Sequence, residues 1–174
     1  MEPEKSRSFQ DQFAELFDAR FERIYRYLNR LSGDPELAAD VAQEAFVKLY
    51  RRGSLPDSPE AWLISVAMNL FRNAKSAHSR RLRLLTPARG ESMLSDPPPG
   101  PDEAMEAEDS RRRVRLALDR LPDRERRMLL LRAEGYSYRD IAGALRLNEA
   151  SVGVLLARAR RAFRNIYEES FGAP

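Results

Sequence analysis

Two short signatures, Gly33-Asp34-Pro35-Glu36 and Ser58-Pro59-Glu60, limit this chain more than any other feature. Each puts a capping side chain and then a proline where the start of a helix accommodates both, so helices open at positions 35 and 59. Apolar residues repeat at helical steps around them. Phe13, Phe17, Ile24, Leu28 and Leu31 define an amphipathic helix from about Phe9 to Leu31. Val41, Ala45, Phe46 and Leu49 mark a second, with Gly53 as its stop, and Leu63, Val66, Ala67 and Leu70 a third that fades near Leu85. Few segments alternate with period two, and no internal repeat is found. The expected fold class is therefore all-α.

A boundary interrupts these helices. Asp96 to Asp109 carries four prolines and six acids without a base, a composition that cannot offset its own ordering entropy. The expectation is two small helical domains, residues 1–85 and 111–174, joined by a flexible acidic, proline-rich linker over 86–110. In the second domain Val114, Leu118 and Leu121 keep helical spacing, Pro122 separates two helices, and Met128, Leu129 and Leu131 continue the apolar face to a cap at Gly135. Ser137 with Asp140 resembles a capping box, and Ile141, Ala142 and Leu145 turn inward. Asn148 then caps a last helix through Val152, Leu156 and Phe163. Two helices joined by so short a turn read as a helix-turn-helix.

Charge limits the partners. The net charge of +3 and pI near 9.4 describe no uniformly basic coat, so the placement of the cations matters. The absence of cysteine and the single histidine, His78, remove disulfides, thiolate chemistry and multi-histidine metal sites. No glycine-rich phosphate loop or nucleophile–base pair stands out, so no enzyme is expected, nor any cofactor. The N-terminus is charged and no stretch nears the ~20 apolar residues that span a bilayer, which reads as a soluble, unexported, cytoplasmic protein.

Three surfaces carry functional candidates. On the last helix, Asn148, Glu149 and Ser151 stand where a recognition helix meets base edges, while Arg158, Arg160, Arg161 and Arg164 suit phosphates. A solvated cationic helix is the alternative. The acid-free run Arg72–Arg83 contains Arg72, Lys75, Arg80 and Arg81 with Asn69 and Asn73 one turn apart, a face for a nucleic-acid backbone or simply a basic helix end. Trp62 beside it suits either a core or a stacked base. Asp40, Gln43 and Glu44, with Lys48 a turn further, form an acidic polar strip that is either a docking face for a basic protein or a wet helix side.

Taken in order, Asp34-Pro35-Glu36, Asp40-Val41-Ala42-Gln43-Glu44-Ala45-Phe46, Ala61-Trp62-Leu63 with Val66, Ala67 and Asn69, Leu121-Pro122-Asp123-Arg124-Glu125-Arg126 and Gly135-Tyr136-Ser137-Tyr138-Arg139-Asp140-Ile141-Ala142 resemble bacterial RNA polymerase sigma factors of the sigma-70 family, in the extracytoplasmic-function (ECF) group. The resemblance runs from about Phe9 to Arg164. It implies that Asp40, Gln43 and Glu44 meet the clamp helices of the largest subunit of core RNA polymerase. It implies that Asn69, Arg72, Asn73, Lys75, Arg80 and Arg81 hold the opened minus-ten strand, and that Asn148, Glu149, Ser151, Arg158, Arg160 and Arg161 read minus-thirty-five duplex. An anti-sigma protein is a further implied partner, and the linker corresponds to the family's connector. The sequence departs from the family pattern at Gly153-Val154-Leu155, where Lys-Ser-Arg is frequent, at Asn73 in place of aspartate, and at Arg146 in place of the turn glycine. A free-standing dimeric helix-turn-helix regulator is the competing reading.

Overall fold

The computed structural model describes residues 8–85 and 102–172, with side chains over 8–77 and 106–172. Helices α1 (Phe9–Ser32), α2 (Pro35–Arg52) and α3 (Pro59–Leu85) form an N-terminal half. Helices α4 (Asp102–Asp119), α5 (Asp123–Ala133), α6 (Tyr138–Leu145) and α7 (Glu149–Phe171) form a C-terminal half. No strand occurs among the described residues.

The predicted helix starts are present, most with their capping chemistry; α3 opens at Pro59 with the Ser58 carbonyl accepting from the Trp62 amide and, among the described residues, no capping bond from the Ser58 side chain. Ser8 Oγ accepts from the Asp11 amide, and Asp34 Oδ1 accepts from the amides of Glu36 and Leu37 before Pro35 opens α2. The Ser137–Asp140 box is reciprocal: the serine hydroxyl accepts from the Asp140 amide at 3.1 Å and the aspartate from the Ser137 amide at 3.2 Å. Gly33 ends α1 at φ +71, donating its N–H to the Asn29 carbonyl. Pro122 separates α4 from α5 as the N-cap residue of the latter, and the last helix continues past Arg164 to Phe171. Arg146 does adopt the left-handed conformation, φ 56, closing α6 at a cost of about 1 kcal/mol.

The acidic stretch departs from the expected linker. Its second part, from Asp102, is the first half of α4. Acids cluster at the positive end of that helix, and further along it Asp109 pairs with Arg113 at 2.7 Å one turn away. Both effects favour a helix that composition alone argued against. Residues 86–101 lie outside the described residues. Ala117 and Leu118 of α4 and Leu121 just beyond its end face the core while Val114 and Leu116 stay exposed, so the expected apolar face is met at Leu118 and Leu121 and not at Val114.

The two halves share one core. Ile24, Tyr27, Leu28, Phe46, Leu49, Leu63 and Ile64 pack in the N-terminal half, and the same apolar cluster continues into Met128, Leu131, Tyr136 and Ile141. Helices α1 and α3 run in the same direction and meet through long side chains, since Arg20 meets Glu60 and, two turns on, the Tyr27 hydroxyl donates to Met68 Sδ at 3.2 Å. The α5–α6 pair lies across them, α5 on α1 and α6 on α3.

Tyr27 and Tyr136 are both buried at this seam, and burial raises each phenol well above the usual 10.0. The folded state therefore keeps protons that the unfolded state loses above pH 10, and the stability they contribute falls as pH rises from about 10 upward, with no contribution to slope below it. In thermal unfolding monitored by circular dichroism, the wild-type midpoint is expected to drop more steeply between pH 10 and 11.5 than that of a Tyr27→Phe, Tyr136→Phe double variant.

Candidate functional site

The acidic strip is built by α2, whose Val41, Ala42, Ala45, Phe46 and Leu49 are buried and so turn Asp40 and Gln43 to solvent, with Glu44 half-buried. Beside it lies an apolar groove of about 500 Å3 that the sequence did not reveal. Phe13, Phe17 and Phe21 of α1 and Phe46 and Tyr50 of α2 line it, and Gln43 is part of its wall. The rings interlock, Phe17 edge-on to Phe46 at 5.0 Å and stacked on Phe21 at 4.9 Å, yet Tyr50 remains 52% exposed. The four-residue repeat of phenylalanines was the available signal. It read as an inner face because periodicity does not say how far a face is covered.

The first basic surface is the outer face of α3. Asn69, Arg72, Asn73 and Lys75 are all exposed, and Arg72 donates to the Asn69 side-chain oxygen, so those two are pre-positioned together. Trp62 is half-buried against the core and available at its edge. Arg80 and Arg81 belong to α3, but their side chains, like that of His78, lie outside the described residues.

The second basic surface is α7. Asn148 caps it by accepting from the Ala150 amide at 3.0 Å, which leaves its amide NH2 to donate outward. Asn148, Glu149 and Ser151 are exposed at its N-terminus, and Arg158, Arg160, Arg161 and Arg164 are exposed along its length. Val152, Leu156 and Ala159 are fully buried and hold the helix against α5 and α6. Gly153 packs beside Tyr138 of α6. A Cβ there would make ordinary contact with the Tyr138 ring at 3.4 Å, so the space does not demand glycine, and Val154, at 65% exposed, takes the outward position. The helix presents an apolar side chain to solvent at that point.

The sequence also gave no sign of a charged cluster where the halves meet. The Glu134 side chain is only 3% exposed, and its Oε2 accepts from Arg26 Nε at 3.1 Å. Arg30 approaches Oε1 at 3.0 Å as an ion pair without hydrogen-bond alignment, and Arg23 donates to the Glu134 carbonyl at 2.7 Å while covering the Tyr136 ring at 4.1 Å. Nearby, Ser65 donates to the Ala144 carbonyl at 3.4 Å. Ion pairs so distant in sequence leave no local pattern to read.

No group of acidic or histidine side chains among the described residues has metal-binding geometry, and no described helix is long and apolar enough to cross a membrane.

Known proteins match both halves. The family pattern described as Sigma-70 region 2 covers residues 16–81, and that described as Sigma-70, region 4 covers residues 111–163. The RNA polymerase sigma factor CarQ of Myxococcus xanthus is 31% identical over 91% of this chain and 89% of its own length. The ECF RNA polymerase sigma factor SigE of Mycolicibacterium smegmatis is 32% identical over 87% of this chain, and the probable RNA polymerase sigma factor RfaY of Xanthomonas campestris pv. campestris is 32% identical over 78%. The chain spans only 60% and 35% of those two relatives. In fold it matches the sigma factor RpoE of Bartonella quintana, solved with the anti-sigma factor NepR, at a TM-score of 0.65 and 19% identity over 91% of this chain and 98% of that one. CnrH, solved with the cytosolic domain of CnrY, gives 0.62 and 20% over 92% and 90%. The chain belongs to the sigma-70 family of RNA polymerase sigma factors, in its extracytoplasmic-function group.

If the α7 arginines meet phosphate, Arg160→Ala and Arg161→Ala should each weaken duplex binding across sequences and reduce the log–log salt slope by about 0.9. Fluorescence anisotropy over a salt series measures this, and unchanged slopes would return α7 to a merely solvated helix.

Proposed function

We propose that the protein is a dissociable initiation subunit that docks on core RNA polymerase and directs it to promoters, assisting strand opening without chemistry of its own. The observation that carries this reading is the separation of three exposed surfaces on one chain: the acidic strip of α2, the polar and basic face of α3, and the arginine-bearing α7 of a helix-turn-helix.

Asp40, Gln43 and Glu44 dock on the clamp helices of the largest subunit, and the aromatic groove beside Gln43 gives an otherwise polar contact an apolar anchor. Asn69, Arg72, Asn73 and Lys75, with Arg80 and Arg81, hold the exposed minus-ten strand, which has to leave the duplex before its bases can be captured. Asn148, Glu149 and Ser151 face minus-thirty-five base edges, with Arg158, Arg160 and Arg161 on the backbone. The exposed Val154 makes apolar contact, to a thymine methyl for instance, the form of readout open to α7 at that point. The work is cytoplasmic, and an anti-sigma partner of the kind bound by the Bartonella protein is a further proposed partner.

Elements about 25 base pairs apart lie about 85 Å apart along B-DNA. A compact body of this length has a radius of gyration of about 16 Å and is about 40 Å across. The closed molecule therefore engages one element at a time, and the two halves must part to hold both.

Run-off transcription with purified core polymerase and a pool of promoters tests the function: transcripts with defined starts should appear only when this protein is added. A chain carrying Asp40→Arg and Glu44→Arg should keep its helical circular dichroism and lose holoenzyme assembly. Assembly at wild-type affinity would contradict the docking role of α2.

A further inference from the structure

We propose that Arg23, Arg26 and Arg30 of α1 form a nucleic-acid phosphate site, occupied in the closed molecule by Glu134 of the C-terminal half. The inference rests on the promoter-binding reading of α3 and extends it to a helix with no assigned contact.

The first support is the register of α1 against α3. Arg20 lies beside Glu60 and Tyr27 beside Met68, so at 1.5 Å per residue the two helices advance together. Arg26 and Arg30 therefore come level with Val66 to Phe71, the stretch of α3 that carries Asn69 and leads into Arg72 of the proposed minus-ten surface.

Occupancy is the second. Arg20 and Arg23 both reach Glu60 on α3, within their own half, and keep that partner whatever the C-terminal half does. Arg30 has Glu134 as its recorded carboxylate partner, and Arg26 has Glu134 at 3.1 Å and Glu22 at a looser 3.9 Å. Loss of the Glu134 carboxylate thus releases Arg26 and Arg30, and withdrawal of the C-terminal half also frees the Nε of Arg23 from the Glu134 main-chain carbonyl, all on one side of α1 at intervals of three and four residues. A buried carboxylate gripped by guanidinium groups is the arrangement that a backbone phosphate would reproduce.

The third is what else the C-terminal half covers. Ala61, Ser65, Asn69 and Arg72 follow one another at steps of four, four and three, a single face of α3. Its start lies under α6, where Ser65 bonds to Ala144 and a Cβ on Gly143 would come within 2.9 Å of the Ala61 Cβ. The same domain thus masks the arginine side of α1 and the beginning of the DNA-facing side of α3. A nucleic-acid strand lying along Asn69 and Arg72 passes the released arginines. That continuity favours a phosphate backbone over an acidic protein segment.

The test is binding of a labelled single-stranded oligonucleotide by the full chain without polymerase, over a salt series. Glu134→Gln, near-isosteric and checked by circular dichroism, should raise affinity about fivefold or more and steepen the salt slope. Adding Arg26→Gln and Arg30→Gln should cancel that gain and lower the slope by about 0.7 per lost contact.

Because the chain has no cysteine, an Ala61→Cys, Gly143→Cys pair can lock the halves together, the two β-carbons being within an ångström of disulfide range. Placed in the Glu134→Gln background and oxidised, it should abolish the gain, and reductant should restore it. The inference is overturned if Glu134→Gln leaves affinity unchanged, if the gain survives loss of Arg26 and Arg30, or if the oxidised lock binds as tightly as the reduced chain. A gain for polyglutamate without one for DNA also overturns it. Normal run-off transcription beside any of these results would leave the sigma-factor reading intact and reject this site alone.

Discussion

Glu134 is a carboxylate at 3% side-chain exposure, and such burial is tolerable only because Arg23, Arg26 and Arg30 of the other half converge on its side chain and main chain. The contact works in both directions. From the C-terminal half, the Arg115 guanidinium lies against Gly33, where α1 ends with the negative pole of its dipole. Each half thus supplies cations to the C-terminal end of a helix in the other, around an apolar seam of Tyr27, Tyr136, Met128 and Ile141. Apolar burial holds the halves together, and the ionic contacts fix which surfaces meet.

That arrangement decides which surfaces stay free. The exposed part of α2 faces away from the seam, so polymerase docking and closure are compatible. The face of α3 is divided: its start is covered by α6, while Asn69, Arg72, Asn73 and Lys75 remain open. On α7 the buried Val152, Leu156 and Ala159 face the C-terminal core, and its arginines look outward. Closure therefore hides no proposed base contact among the described residues. It fixes the distance between the two reading surfaces and neutralises part of the positive charge beside one of them.

Much of this was legible in the sequence because it is local. Asp34-Pro35, Ser137 with Asp140, and Asn148 each carry their capping chemistry within three residues, and each starts a helix where expected. The all-α class and the order of helices follow from such signals together with period-3.6 patterning. The linker composition misled past Asp102, because acids at a helix start and i,i+4 pairs such as Asp109–Arg113 stabilise a helix that has little apolar surface. What stayed invisible is long-range. The Arg26–Glu134 pair joins residues 108 apart in sequence, and the half-open state of the Phe13–Phe17–Phe21 face depends on where α2 stops covering it. Gly153 stood out in the sequence as a departure from the family pattern, and its packing beside the Tyr138 ring of the preceding helix is likewise a contact that no local signal announces.

The central claim is that the free protein is closed across the α1–α5 and α3–α6 contacts and must open to hold two promoter elements. Inter-spin distances between labels at Glu36→Cys on α2 and Glu168→Cys on α7, both exposed, measure this directly. The account predicts one population in the free protein, within the ~40 Å of a compact body, and a separation longer by tens of ångströms in the promoter-bound holoenzyme. The same distance in both states would contradict it.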